Sequence, residues 1–82
     1  MRVVIYSKPG CHLCDEMKAV VARAIHGREI TLEEIDISGD PGLLERYALE
    51  IPVLMIDGKK AAKFRITEAE LRHKLERRLN GS

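Results

Sequence analysis

Between Arg2 and Ile37 the chain reads strand, helix, strand. That order is the strongest constraint on its fold, because two strands joined through a helix pair in parallel with a right-handed crossover. Arg2 to Tyr6 (RVVIY) is short, β-branched and almost continuously apolar, the composition of a central strand buried on both faces. Lys8-Pro9-Gly10 breaks it. From Cys11 onward Leu13, Met17, Val20, Val21, Ala24 and Ile25 recur in steps of three and four, the period of an amphipathic helix. Gly27 supplies the stop, and Arg23 and Arg28 suit the helix's negative end. Ile30 to Ile37 (ITLEEIDI) then alternates, with a slip at Glu33-Glu34, as a strand with one partly wet face does.

The second half carries clearer local punctuation. Asp40-Pro41 is an N-cap followed by proline at the first helical position. Leu43, Leu44, Tyr47 and Ala48 give that short helix its buried side. Ile51 to Ile56 (IPVLMI) is a third strand, and Asp57-Gly58 is a hairpin turn leading into a fourth from about Lys60 to Phe64. Thr67-Glu68-Ala69-Glu70 is a capping box. It opens a last helix with Leu71, Leu75 and Leu79 inside, Glu70 and Lys74 as an exposed pair, and Asn80-Gly81 as its close. The expected fold class is α/β, a four-stranded mixed sheet in the order β-α-β-α-β-β-α with helices on both faces. Helices are needed on both faces because the first and third strands read as buried on both sides.

At 82 residues the chain builds one small domain, residues 1–82, around a single core. Its 45% hydrophobic and 33% charged residues are globular composition. A net charge of +1 and few aromatic residues argue against a nucleic-acid binder. No apolar run approaches the roughly 18 residues that span a membrane, and the opening strand is too short and wrongly composed for a signal peptide. The expectation is a soluble, cytoplasmic monomer.

Chemistry concentrates at the only two cysteines, Cys11 and Cys14, in the run Ser7-Lys8-Pro9-Gly10-Cys11-His12-Leu13-Cys14. A helix N-terminus offers unpaired N–H groups and about half a positive charge, which favours thiolate over thiol. Cys11 falls at the helix start and Cys14 about one turn in, so Cys11 is expected to be the exposed sulfur and Cys14 the covered one. A thiol becomes a hundredfold more acidic for about 2.7 kcal/mol of preference for its thiolate. A helix end, a hydrogen bond or two and one cation together reach that figure, and Lys8 is the cation at hand. The pattern fits dithiol exchange: Cys11 attacks a substrate disulfide, and Cys14 then attacks Cys11 to release the reduced product.

Other readings compete. Zinc takes four ligands, and beyond the cysteines the chain offers His12, His26 and His73. His12 is locked between the cysteines, and His26 lies at the far end of the same helix. His12 itself carries two readings, an imidazolium that tunes the Cys11 thiolate or a solvent-exposed first-turn side chain. Pro52 removes a ladder donor at the start of a buried strand. That makes sense if Ile51-Pro52 is cis and turns the Ile51 backbone toward the cysteines, although trans is the commoner state.

Together, Tyr6 to Cys14 (YSKPGCHLC), Ile51 to Leu54 (IPVL) and Asp57-Gly58-Lys59 resemble a glutaredoxin-like member of the thioredoxin superfamily. The resemblance covers about Met1 to Leu79. It implies a thioredoxin-like fold, Cys11 as nucleophile and Cys14 as resolving thiol of a redox-active disulfide. It also implies Pro52 as a cis-proline, Ile51 as a backbone partner for an extended substrate, and Lys8 as a contact for a glutathione carboxylate. Protein or glutathione mixed disulfides are the implied substrates. Glutathione is the implied electron source, with a flavoprotein thioredoxin reductase as the alternative that the missing Gly-Gly opens, and no bound cofactor or metal is expected. Two departures stand out. Typical glutaredoxins carry Cys-Pro-Tyr-Cys where this chain has His12-Leu13. They follow the hairpin with Gly-Gly and an acidic pair, where this chain has Ala61 to Glu68 (AAKFRITE), with Thr67 as the cap and Lys63 and Arg65 as nearby cations. From a different class comes a metal- or cluster-binding module using the two thiolates as ligands, in one form bridging two subunits.

Overall fold

The computed structural model describes residues 1–80. Strand β1 (Arg2–Ser7) pairs in parallel with β2 (Thr31–Asp36), joined through helix α1 (His12–Ile25). A 3-10 turn (Ile37–Gly39) leads into α2 (Pro41–Tyr47), and the hairpin of β3 (Val53–Ile56) and β4 (Lys59–Lys63) is followed by α3 (Glu68–Asn80). The sheet order is β2-β1-β3-β4, with β3 antiparallel to both of its neighbours. This is the expected four-stranded mixed sheet of an α/β fold.

The period of two along the inner strands divides the core. Val3, Ile5, Leu54 and Ile56 pack with Met17 and Val21 of α1 and Leu71 and Leu75 of α3. On the opposite face Tyr6, Val53 and Met55 meet Ile37 and Tyr47. Helices therefore cover both faces. Tyr6 and Tyr47 stack with their ring centres 4.9 Å apart, a geometry aromatic pairs favour.

The punctuation is found where the sequence puts it. The Asp40 carboxylate accepts the Gly42 and Leu43 N–H groups at 2.9 and 3.1 Å. The Thr67 hydroxyl accepts the Glu70 N–H at 3.1 Å, and the Glu70 carboxylate returns to the Thr67 N–H at 3.4 Å. Asp57 and Gly58 both have positive φ, 48° and 82°, as a two-residue hairpin turn requires.

Three expectations need correcting. Glu70 is held by its cap, and no Glu70–Lys74 ion pair forms among the described residues; Arg72 pairs with Glu68 instead, at 2.7 Å. Leu79 is 53% exposed, so the inner row of α3 ends at Leu75. Ile37 leaves β2 for the 3-10 turn, because the Asp36 carboxylate accepts the Ser38 N–H at 2.9 Å and stops the strand. The expected close at Asn80-Gly81 falls partly outside the described residues.

The sheet's two edges differ in charge. β2 carries Glu33, Glu34 and Asp36, whereas β4 carries Lys59, Lys60 and Lys63. Arg2 pairs with Glu33, Lys18 with Glu34 at 3.3 Å, and Lys60 with Glu50. Among the described residues no helix is long and apolar enough to cross a membrane.

Asp57 ties the hairpin to both chain ends. Its carboxylate accepts the Arg2 N–H at 2.9 Å and the Arg78 Nε–H at 3.1 Å. These two donors, the backbone one first, hold its carboxyl below the usual range. The folded value lies below the unfolded one, so the stabilisation is complete above the ordinary Asp value of about 4. It is lost as pH falls through the lower folded value. Asp57→Asn is therefore expected to flatten the acid limb of a plot of unfolding free energy against pH. An unchanged limb in urea titrations from pH 6 to 2.5 would remove Asp57 from this role.

Candidate active site

β1 ends at Ser7, and Gly10, at φ 76°, turns the chain in a conformation that L side chains rarely adopt. That turn delivers Cys11 to the N-cap of α1, where an oxygen side chain is the usual occupant. Here sulfur does the capping: the Cys14 N–H donates to Cys11 Sγ at 3.1 Å, while the Asp15 N–H donates to the Cys11 carbonyl at 3.2 Å. Cys11 and Cys14 are joined as a disulfide with their Cα atoms 5.2 Å apart, inside the range that such a bond spans without moving backbone. The bridge closes within the first helical turn. Cys14 is 1% exposed and packed inward, whereas Cys11 is only half-buried. In the dithiol state the same N–H and the helix's positive end favour charge on Cys11.

The other predicted residues fall on different sides of this turn. Tyr6 is the register partner of Val53, so Pro52, one residue earlier, sits at the sheet end where β1 runs into the cysteine loop. Pro52 is fully buried and its bond with Ile51 is cis. Ile51 precedes β3, and its backbone N–H and C=O join none of the hydrogen bonds among the described residues. Lys8 lies on the β2 side, around a polar recess with Ser7, Asp15, Lys18, Glu34 and Asp36. Its ammonium helps hold the Asp36 carboxyl below the usual range, after the larger effects of the Ser38 hydroxyl and N–H. His12 opens α1 and is exposed. Among the described residues no three His, Cys, Asp or Glu side chains gather as a metal's ligands do.

Sequence reasoning missed Phe64, which it read only as a strand end. Phe64 has φ 67°. The Arg65 N–H reaches across it to the Lys63 carbonyl at 2.8 Å, the i to i+2 bond of a γ-turn in its rare, strained form. Holding a bulky residue there costs on the order of 1–3 kcal/mol. The Phe64 N–H donates to the Pro52 carbonyl at 2.9 Å, which pins the turn beside the proline. The ring, 42% exposed, borders a groove of about 520 Å³ between α1 and the β4–α3 turn. Its being the chain's one phenylalanine was the only hint in the sequence.

Comparison with known proteins fixes the family. The chain matches the glutaredoxin-like domain (DUF836) over residues 2–76. It belongs to the glutaredoxin-like family. A curated relative, the glutaredoxin-like protein YDR286C homolog of Dictyostelium discoideum, is 32% identical over 82 aligned positions, 93% of this chain and 76% of that one. Among solved structures, protein XcR50 from X. campestris is 28% identical, with a TM-score of 0.78 over 90% of this chain and 95% of that one. Ne2328 from Nitrosomonas europaea is also 28% identical, with a TM-score of 0.76 over 89% and 88%. Thioredoxin 1 from Thermosipho africanus, 19% identical, reaches 0.71 over 96% and 94% and shares the fold. This glutaredoxin-like domain is thus a thioredoxin fold carrying a CxxC pair at disulfide distance, an arrangement consistent with redox function.

Proposed function

We propose that this chain is a thiol–disulfide oxidoreductase that reduces protein or glutathione mixed disulfides. The observation that carries the reading is the unequal exposure of two bonded sulfurs at one helix N-terminus, Cys11 half-buried and Cys14 covered. In the dithiol state the Cys11 thiolate attacks one sulfur of the substrate disulfide. A Cys11–substrate bond forms, and the other substrate sulfur leaves as thiolate and takes up a proton. Cys14 then loses its proton and attacks Cys11 Sγ; the Cys11–Cys14 bond forms and the second substrate thiol is released. Two electrons have passed from the dithiol to the substrate. Glutathione or a flavoprotein reductase returns them.

The backbone of Ile51, unpaired among the described residues and beside buried Pro52, suits an extended substrate segment bound as an added strand. Lys8 suits a substrate carboxylate, although Asp36 shares its charge.

Equilibration in glutathione redox buffers, read by mass after acid quench, tests the reading. The expected result is reversible interconversion of the dithiol with the Cys11–Cys14 disulfide, at a midpoint that gives the potential. Cysteines that stay reduced across the buffer range, with metal co-purifying, would replace the oxidoreductase with a module binding metal or a cluster.

A further inference from the structure

The groove beside Phe64 starts in the first turn of α1, where Leu13, the residue just before Cys14, is part of its wall although neither cysteine lines it. Met17, Val20 and Ile66 continue an apolar lining away from the cysteines. Phe64 closes the far side with an exposed ring, held in its strained turn by the bond to the Pro52 carbonyl. Strained residues gather at ligand clamps and active sites. This one joins the proline to the groove.

The charge around the groove argues for one kind of occupant. Glu16 and Glu70 face Arg23 and Arg65, and the Lys63 ammonium lies over the Phe64 ring, 5.6 Å from its centre. Arg23 is already bound to Glu68 at 3.0 Å, and Lys8 lies on the opposite flank of α1. A small ligand with two carboxylates meets Glu16 and Glu70 here as well as the bases, whereas an uncharged aliphatic side chain gains burial against the apolar wall.

We propose that this groove binds an aliphatic side chain next to the disulfide cysteine of an extended polypeptide, with Phe64 as the specificity-determining residue. The inference rests on the oxidoreductase reading and names its substrate class. The peptide's sulfur meets Cys11 while its neighbouring side chain lies against Leu13 and Phe64.

The test uses pre-reduced protein and symmetric disulfides of short peptides, with the cysteine flanked by leucine on either side or by glycine. Oxidised glutathione and hydroxyethyl disulfide serve as references, and oxidation of the protein is followed in a single turnover. A leucine peptide is expected to react about tenfold faster than the glycine peptide, the low end of what one hydrophobic contact discriminates. Phe64→Ala and Val20→Glu are each expected to bring that ratio close to one. Because a folding defect slows both peptides together, the ratio reports the groove. A ratio near one in the wild type, or one unmoved by both variants, would overturn the inference. So would glutathione disulfide reacting faster than either leucine peptide with the same dependence on Phe64, which would make the groove a tripeptide site. Failure of every disulfide, hydroxyethyl disulfide included, would instead bring down the oxidoreductase reading beneath it.

Discussion

Cys11→Ser is expected to remove disulfide reduction, with turnover falling on the order of a thousandfold or more, as loss of an essential nucleophile does. Cys14→Ser has a different signature. Its Cys11 still attacks, but no second thiol lies within reach to resolve the product, so a mixed disulfide accumulates on Cys11. Intact mass after mixing with a disulfide reads this directly: an adduct on Cys14→Ser and none on Cys11→Ser. The assignment follows from exposure and capping, since Cys11 is the accessible sulfur and receives the Cys14 N–H. Alkylation of the reduced protein at pH 6 supplies a second test. Cys11 should react first by a wide margin, because the thiolate is the reactive form and Cys14 is covered. Equal labelling of the two sulfurs would reverse the roles or dissolve them.

The second large effect is on stability. Leu71→Ala is expected to lower the unfolding free energy by about 2–5 kcal/mol, the range for emptying a leucine site in a packed core. Leu71 is 0% exposed and packs with Val3, Ile5 and Val21, where α3 meets α1 and the sheet. For a domain of this size that corresponds to a drop in Tm of about 10 °C or more. Leu79→Ala, eight residues along the same helix but 53% exposed, should stay within about 0.5 kcal/mol of the parent. Urea titrations of both variants decide the matter. Similar losses from the two would mean that α3 is buried along its whole length.

That contrast also marks where sequence reading stops. The four-residue spacing of Leu71, Leu75 and Leu79 gives the helix a face, but the spacing does not say how far the underlying layer extends. Devices that act within a few residues were legible: Asp40 before Pro41 and Thr67 three before Glu70 bond as their spacing dictates, and Asp57-Gly58 takes the positive φ of its turn. The cysteine turn was legible for the same reason. Phe64 was not. Its turn is fixed by the carbonyl of Pro52, distant in sequence, and no local preference would place phenylalanine at positive φ. The surroundings of Lys8 were hidden too, because the nearness of Asp36 arises from the pairing of β1 with β2.

The opposed charges of the sheet's edges give the molecule a polarity across its strands. Two copies meeting through the same edge bring glutamates to glutamates or lysines to lysines, and the unpaired strand groups that invite such pairing are kept apart. An acidic edge approaching a basic edge is attracted instead. That contact is head-to-tail, so it does not close on itself as a two-fold pair and leaves a free edge at either end of the row. Salt within a Debye length of about 8 Å at physiological ionic strength screens the attraction. Glu33, Glu34 and Lys60 are moreover already paired inside the molecule, with Arg2, Lys18 and Glu50, so low salt is the condition under which the remaining charge would be felt between copies.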